Sequence, residues 1–176
     1  MEYSIRLLTR EEENAFKLEM QDAFQKGYED HFGNTEGIIL PFEDIERSLA
    51  EDGVIVYEVI GDDERLGGAI IVLTEDGRKG NLHFLYTKVG CQSRGVGQWM
   101  WRTIEALHPD VSLWETSTPY FDTRNIHFYV NRLGFHIVEF FNAHHPDPHL
   151  SSQPNEDPTG EEGMFRFEKT TNNNEE

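Results

Sequence analysis

A glycine-spaced turn lies near the middle of the chain, where an extended apolar stretch passes into a helical one. It reads QSRGVG, from Gln92 to Gly97. Glycines allow a backbone to approach a ligand closely, and the free N–H groups at a helix start carry a partial positive charge. The turn is therefore predicted to hold a pyrophosphate on its backbone N–H groups, with Arg94 beside it.

Two better-known phosphate loops do not fit this turn. The nucleoside-triphosphate loop G-x-x-x-x-G-K-[ST] requires Lys and then Ser or Thr where this chain has Val96 and Gly97. The dinucleotide fingerprint G-x-G-x-x-G requires a third glycine where this chain has Met100. The sequence thus excludes both of these nucleotide-binding classes.

The elements that position the turn follow from hydrophobic periodicity, in the order β-α-α-β-β-β-α-β-α-β-β. The first helix should end near Lys26, with a loop beginning at Gly27. The strand–helix–strand unit around the turn requires a parallel crossover, whereas the strands before it are joined by short turns and should be antiparallel. The predicted fold class is α/β, an α+β mixed sheet of about seven strands flanked by about four helices. Residues 1–170 should form one domain, and residues 171–176 a disordered acidic tail.

The turn, a second helix and the element order together resemble the GNAT family of N-acetyltransferases. That family carries Q/R-x-x-G-x-G/A after its central strand, and an Asn-containing helix that ends in Y-x-x-x-G-F, here NIHFYVNRLGF. The resemblance extends over residues 3–169. It implies an enzyme that uses acetyl-CoA and modifies a primary amine, by direct attack of the neutral amine on the thioester.

The resemblance also implies where acetyl-CoA would bind. The pyrophosphate would lie on the turn, and the pantetheine arm in a gap where the strand holding Thr87 parts from the next strand. Thr87 matches the position whose backbone N–H polarises the thioester carbonyl, and Asn125 either bonds the pantetheine arm or caps a helix. The implied binding residues are Thr87, Lys88, Gln92, Ser93, Arg94, Gly95, Val96, Gly97 and Asn125.

His83 is the candidate general base, because an attacking amine must lose a proton. It lies nine residues before Gln92, where the serotonin N-acetyltransferase branch carries one of its paired histidines, but the companion position is Asn81 here. Strand alternation places His83 on one face with Leu85 and Thr87. The alternative is a structural histidine held by a hydrogen bond.

Tyr129 is the candidate general acid for the departing sulfur. The family places a Tyr four residues before the Gly of G-F, and that position is Val130 here. One helical position corresponds to a rotation of about 100°, so Tyr129 matches only if the helix carries a bulge. The alternative is a core residue in the apolar stripe of that helix.

Other reactive side chains receive structural interpretations. Cys91 has no evident base paired with it, so a small buried residue is favoured over a nucleophile. His144, His145 and His149 lie with Asp147 in a proline-broken run that lacks a regular ligand spacing. A surface or structural loop is favoured there, and no metal is predicted.

The charge distribution bears on the partners. The formal net charge is -18, which disfavours nucleic acid. Residues 1–80 carry 20 acidic and 8 basic side chains, whereas residues 81–150 carry 6 and 5. A small cationic amine near the acidic half is therefore the favoured acceptor, although acidic faces also serve solubility alone. A protein N-terminus or lysine, a non-catalytic CoA-binding regulatory module and an acidic interaction protein are the alternatives.

The sequence gives limited information on the cellular compartment and on the oligomeric state. No apolar run is long enough to span a bilayer, no basic segment followed by an apolar run opens the chain, and Cys91 is the single cysteine. A cytoplasmic protein without membrane contact is the expectation. The sequence leaves the choice between a monomer and a homodimer open.

Overall fold

Seven strands and four α-helices account for most of the residues that the computed structural model describes, 1–92, 94–148 and 163–171. The strands are β1 Tyr3–Leu7, β2 Val54–Gly61, β3 Glu64–Leu73, β4 Lys79–Thr87, β5 Leu113–Pro119, β6 His136–Phe141 and β7 Met164–Thr170. The helices are α1 Glu13–Phe32, α2 Phe42–Leu49, α3 Val96–Leu107 and α4 Thr123–His127, the last continued by a π-helical turn over Phe128–Arg132. The predicted order and fold class are confirmed.

The strands form one sheet in the order β1-β2-β3-β4-β5-β7-β6. All neighbours are antiparallel except β4 and β5, which α3 connects as a parallel crossover. Their register runs only from Lys79 paired with Leu113 to Leu82 paired with Thr116. Beyond that point β4 stays paired with β3 and β5 with β7, so the two central strands part.

Each face of the sheet carries its own core. One core joins the sheet to α3 and α4, and Trp101 and Trp114 are fully buried in it, edge to face with ring centroids 4.9 Å apart. The other core joins the sheet to α1 and α2 around Phe16, Met20 and Ile45. The parting strands therefore lie between two helical layers, one on each side.

The first helix is longer than predicted, since α1 continues through Gly27 to Phe32. Tyr28 and Phe32 both pack on Phe121, which follows β5, with ring centroids 6.4 and 5.5 Å from it. These tertiary contacts outweigh the about 1 kcal/mol that a glycine costs inside a helix. The helix ends at Gly33, whose φ of 89° is in the left-handed region.

A buried carboxylate links the first strands to α1. Glu58 of β2 is fully buried and accepts from Nε of Arg65 and Nε of Arg6, both at 2.6 Å. Arg65 also contacts Glu12 and Glu19 at the start of α1. Since a buried charge needs partners, this network fixes α1 on the sheet.

Several predicted features lie outside the described residues, among them most of the tail over 171–176, the middle of the loop after β6, and Ser93. Within the described part, no helix is both long enough and apolar enough to cross a membrane.

Candidate active site

β4 carries a bulge at the point where it leaves β5. Ile70 and Ile71 are consecutive in β3, but their partners in β4 are Phe84 and Leu82. His83 is therefore an extra residue in the ladder. A bulge of this kind re-aims a side chain beside the gap between the strands.

The bulge overturns the predicted alternation. His83 was expected on one face with Leu85 and Thr87. Instead, Leu85 packs on the core under α3, whereas the His83 ring bonds to Ser48 of α2. The prediction is wrong because the extra residue shifts the alternation by one, and it leaves His83 facing α1 and α2.

The surroundings of His83 suit a base that is neutral at physiological pH. Nδ1 lies 2.8 Å from Oγ of Ser48, and Nε2 lies 3.9 Å from a carboxylate oxygen of Glu51. Burial lowers the pKa of His83 below its ordinary value, and the Glu51 charge opposes this to a lesser extent. The Ser48 contact equally fits the structural histidine that the sequence left as the alternative.

The turn after β4 ends in a bare helix start. Gly95 has a φ of 72° and precedes α3, and the amide of Trp99 donates to the Gly95 carbonyl as the first helical bond. The three amides before Trp99 thus have no acceptor within the helix, and no side chain of the described residues caps them. A Cβ at Gly95 would meet no described atom within 4 Å, so the turn is open at this residue. This donor set fits an anionic phosphate.

The turn is held from a distance by β1. The Tyr3 hydroxyl donates to the Arg94 carbonyl at 3.1 Å, and the Tyr3 ring packs edge to face on Trp99 with centroids 5.4 Å apart. At the entry to the turn, the amide of the preceding Gly90 donates to the Gln92 side chain at 2.8 Å. No sequence pattern points to Tyr3, because it lies 91 residues from Arg94.

The end of β4 directs two amides into the gap. The Lys88 amide donates to the Leu66 carbonyl of β3 at 2.8 Å, and the Lys88 ammonium lies 3.8 Å from Glu19. Since amides alternate between the two sides of a strand, those of Thr87 and Leu85 point away from β3, towards β5. Leu85 lies closer than Thr87 to the point where β4 and β5 part. The alternation of amides along β4 is the signal that identifies the Leu85 amide as a second donor directed into the gap.

The helix of the second motif carries the bulge that a role for Tyr129 requires. The Leu133 amide donates to the Phe128 carbonyl at 3.0 Å, a bond over five residues that marks a π turn. Tyr129 is buried there, and its ring packs on Phe167 of β7 with centroids 5.5 Å apart. Burial raises the pKa of Tyr129 to about 12, so the phenol keeps its proton at neutral pH.

Asn125 lies at the β5 side of the gap and does not cap its helix. Asp122 is the cap, since its carboxylate accepts from the Asn125 amide at 3.1 Å. The Asn125 side chain donates to Asp122 at 2.9 Å and to the Thr118 hydroxyl at 3.5 Å. Of the two alternatives for this residue, capping is therefore wrong.

The remaining candidates lie elsewhere. Cys91, directly before the turn, is partly exposed. The His145 ring lies 2.7 Å from Glu139 and stacks on Phe141. Over the described ranges, no group of three or more His, Cys, Asp or Glu side chains is placed to hold a metal ion, and His149 lies outside those ranges.

Candidate side chains lie on both faces of the sheet near the apex of the gap, which is the point at Leu82 and Thr116 where the pairing of β4 and β5 ends. His83 directly follows Leu82 and faces α1 and α2. The Tyr129 ring packs on Phe167, the β7 register partner of Thr116, with centroids 5.5 Å apart, and it belongs to the core under α3 and α4. An imidazole and a phenol thus lie on opposite faces of the sheet, near the point where β4 and β5 part.

The parting strands, the bare helix start and this two-sided apex define an N-acyltransferase fold of the kind that the sequence resembles. The chain belongs to the acetyltransferase (GNAT) family, whose model matches residues 14–135. YrkN, an uncharacterized protein of Bacillus subtilis strain 168, is 39% identical over 158 residues, which cover 88% of this chain and 85% of YrkN.

Solved structures with the same fold include enzymes of this family. The PaiA N-acetyltransferase of Thermoplasma acidophilum, in complex with coenzyme A, has a TM-score of 0.67 and 15% identity, over 97% of this chain and 100% of that one. A ribosomal-protein-alanine N-acetyltransferase of Brucella melitensis has a TM-score of 0.62 and 15% identity, over 96% and 99%. These likenesses show the fold alone, so the acceptor has to be argued from this chain's own residues.

Proposed function

We propose that this protein transfers the acetyl group of acetyl-CoA to a primary amine, by direct attack of the neutral amine on the thioester. The observation that carries the proposal is the parting of β4 and β5 beyond Leu82 and Thr116, with the bare start of α3 at the open end. A gap between strands accepts an extended arm, and the helix start accepts the phosphates at its end.

The donor substrate would be held mainly by backbone groups. The amides from Gln92 to Gly97 would take the pyrophosphate, and Arg94 would add a positive charge. Those of Thr87 and Leu85 point into the gap, where one of them would polarise the thioester carbonyl. Asn125 would bond the arm from the β5 side, and Lys88 would lie at the mouth of the gap.

His83 and Tyr129 would move the protons. His83 takes the proton that the acceptor nitrogen loses as its lone pair forms the new bond to the acetyl carbonyl carbon. Tyr129 gives its proton to the sulfur as the carbon–sulfur bond breaks and its electron pair stays on sulfur. The products are an amide and the free thiol, and a proton passes from the imidazolium to the phenolate through solvent.

The acceptor we favour is a small cationic amine. Trp114 packs under α3, so alternation places Glu115 on the same face as His83. On the strands beyond the gap, Arg166 is contacted by Glu115 at 3.3 Å, Glu139 at 3.0 Å and Glu168 at 2.6 Å. Three carboxylates around one guanidinium leave this face negative, which favours a cation.

A panel of amines tests the proposal. Thiol release from acetyl-CoA is measured with a polyamine, an aminoglycoside, a neutral amine, and peptides that offer an N-terminal alanine or a lysine. The expected result is the highest kcat/KM for a polycation, falling as salt rises. If only neutral amines react, the proposal of a cationic acceptor is wrong. If a peptide reacts best, the acceptor is a protein N-terminus or lysine. Binding of coenzyme A with no transfer to any amine would instead indicate a non-catalytic module.

A further inference from the structure

Two hydrogen-bond acceptors lie side by side where the end of α2 meets β4. Nε2 of His83 is 3.9 Å from a carboxylate oxygen of Glu51, which is too long for a hydrogen bond between them. Within the described part of the chain, no other side chain bonds to Nε2 or forms an ion pair with Glu51. The two side chains are 18% and 47% exposed, so a ligand can reach both atoms.

Ser48 decides which ring nitrogen of His83 is available. Its Oγ lies 2.8 Å from Nδ1, and the residue is 7% exposed. With the hydrogen on Nδ1, the ring donates to the Ser48 oxygen, and Nε2 keeps its lone pair on the side of Glu51.

Glu51 is held in place by the turn that follows α2. Its amide donates to the Ser48 carbonyl at 3.3 Å, and its carbonyl accepts from the Val54 amide, also at 3.3 Å. Because Ser48 bonds to the His83 ring as well, one turn of backbone positions both acceptors. The pair is therefore arranged before a ligand binds, which lowers the ordering cost of binding.

A separation of 3.9 Å suits a single nitrogen that donates to both atoms. A donor nitrogen lies about 2.9 Å from its acceptor, so one nitrogen reaches Nε2 and the carboxylate together. A neutral primary amine has two N–H hydrogens for these acceptors, and its lone pair is then free for the thioester. A secondary amine has one N–H hydrogen and leaves one acceptor without a partner, which is a strong basis for discrimination.

We propose that Glu51 and Nε2 of His83 together bind the acceptor nitrogen and select primary over secondary amines. Ser48 is the positioning residue that keeps Nε2 in its acceptor form. This inference rests on the proposed function. In the step concerned, the nitrogen lone pair forms the bond to the acetyl carbonyl carbon. The N–H bond that faces Nε2 breaks, its electron pair stays on nitrogen, and Nε2 takes the proton. The hydrogen that faces Glu51 remains as the N–H of the product amide.

Two substitutions at Glu51 test the selection. The most reactive amine of the panel is compared with its N-methyl derivative at about pH 8, above the acidic limb of His83. Glu51→Leu has a similar size and no acceptor, and it should reduce the kcat/KM ratio of primary to N-methyl amine about 10- to 100-fold. Glu51→Gln retains an acceptor oxygen and should retain most of the ratio. The loss of charge affects both amines alike, so it cancels in the ratio.

Glu46→Leu is the control, because it removes a carboxylate of α2 that pairs with Lys17 and should leave the ratio at its wild-type value. If the N-methyl derivative is acetylated too slowly to measure, its inhibition constant against the primary amine is compared instead. An unchanged ratio in Glu51→Leu would overturn the inference while leaving the proposed function in place. A protein that binds coenzyme A and acetylates no amine would overturn the proposed function, and this inference with it.

NMR of nitrogen-labelled imidazole rings tests Ser48 without reference to activity. The His83 signals are identified by their absence from His83→Gln. The unsubstituted protein should show the tautomer with hydrogen on Nδ1, Ser48→Thr should keep it, and Ser48→Ala should show a mixture. Hydrogen on Nε2 in the unsubstituted protein would overturn the inference, and this spectrum decides the point even if Ser48→Ala does not fold.

Discussion

His83 and Phe84 are neighbours in β4, yet both side chains contact the helical layer formed by α1 and α2. Phe84 packs edge to face on Phe24 of α1, with ring centroids 5.9 Å apart, and His83 bonds to Ser48 of α2 at 2.8 Å. Consecutive residues of a regular strand face opposite ways, so the bulge alone makes this arrangement possible. It places His83 beside Glu51, and this contact predicts a pH dependence.

Glu51→Gln should move the acidic limb of the pH–rate profile to lower pH. His83 must be neutral to act as a base, so kcat/KM falls as pH drops through the pKa of His83. The Glu51 charge raises that pKa against the effect of burial, and its removal lowers the pKa further. The measurement is kcat/KM from about pH 5 to 8.

Glu46→Gln is the matched control for this shift. Glu46 is a carboxylate of α2, five residues before Glu51, but it pairs with Lys17 at 3.2 Å, and its loss should leave the limb in place. His83→Gln should abolish the limb and lower kcat/KM about 10²- to 10⁴-fold. If the acidic limb of the pH–rate profile persists in His83→Gln, a group other than His83 is the general base.

Gly95→Ala should weaken acetyl-CoA binding beyond its effect on stability. The residue has a φ of 72°, and its added Cβ would project into open space at the turn that is proposed to hold the pyrophosphate. Gly77→Ala is the matched control, because Gly77 has a φ of 69° and equally open surroundings, in the turn between β3 and β4. Both variants should lose about 1 kcal/mol of unfolding free energy from backbone strain. Only Gly95→Ala should raise the Kd for acetyl-CoA in calorimetric titration. If Gly95→Ala and Gly77→Ala have the same Kd, the turn is not part of the binding site.

The glycine turn and the order of elements were predictable because their signals are local. Periodicity of two or 3.6 residues is set by which side chains a strand or helix buries, and Gly95 is demanded by its own φ. The π turn was predicted only as a condition for the role of Tyr129. Because Tyr129 is offset by one residue from the family's Tyr, it can match that position only if the helix contains one inserted residue. The resemblance supplied the rest of the expected cofactor site.

What the sequence did not reveal depends on contacts between distant parts of the chain. No glycine or proline marks the bulge at His83, which exists because β4 must pair with β3 while it leaves β5. The Tyr3 contact to Arg94 and the packing of Tyr129 on Phe167 join separate elements. Arg65 looks like a surface residue by type, yet its side chain is 6% exposed among carboxylates.

Tyr129→Phe should lower kcat and leave the binding of acetyl-CoA almost unchanged. The substitution removes the proton offered to sulfur, and general acid catalysis contributes about 10²- to 10⁴-fold. Tyr57→Phe is the control, because it removes a hydroxyl of the same core that is bonded to His108 at 2.8 Å. Steady-state kcat and the Kd for acetyl-CoA are compared for both variants. If the wild type and Tyr129→Phe have equal kcat values, Tyr129 is not the proton donor and solvent protonates the sulfur.

Arg65→Met should be among the most destabilising single substitutions in the fold. It leaves Glu58 fully buried with only Arg6, and breaking a buried ion pair costs about 3–5 kcal/mol. Arg6→Met removes a guanidinium from the same carboxylate, but its side chain is 57% exposed, so the loss should be at most about 1 kcal/mol. Urea unfolding measures both free energies.

A second substitution tests whether the buried charge is the cause. In Glu58→Leu/Arg65→Met the uncompensated carboxylate is gone, and apolar side chains of similar volume fill the site, a replacement that is often neutral in stability. The double variant should therefore be more stable than Arg65→Met alone. If it is less stable, the loss comes from the contacts of Arg65 with Glu12 and Glu19, and α1 is held on the sheet by those two carboxylates rather than by Glu58.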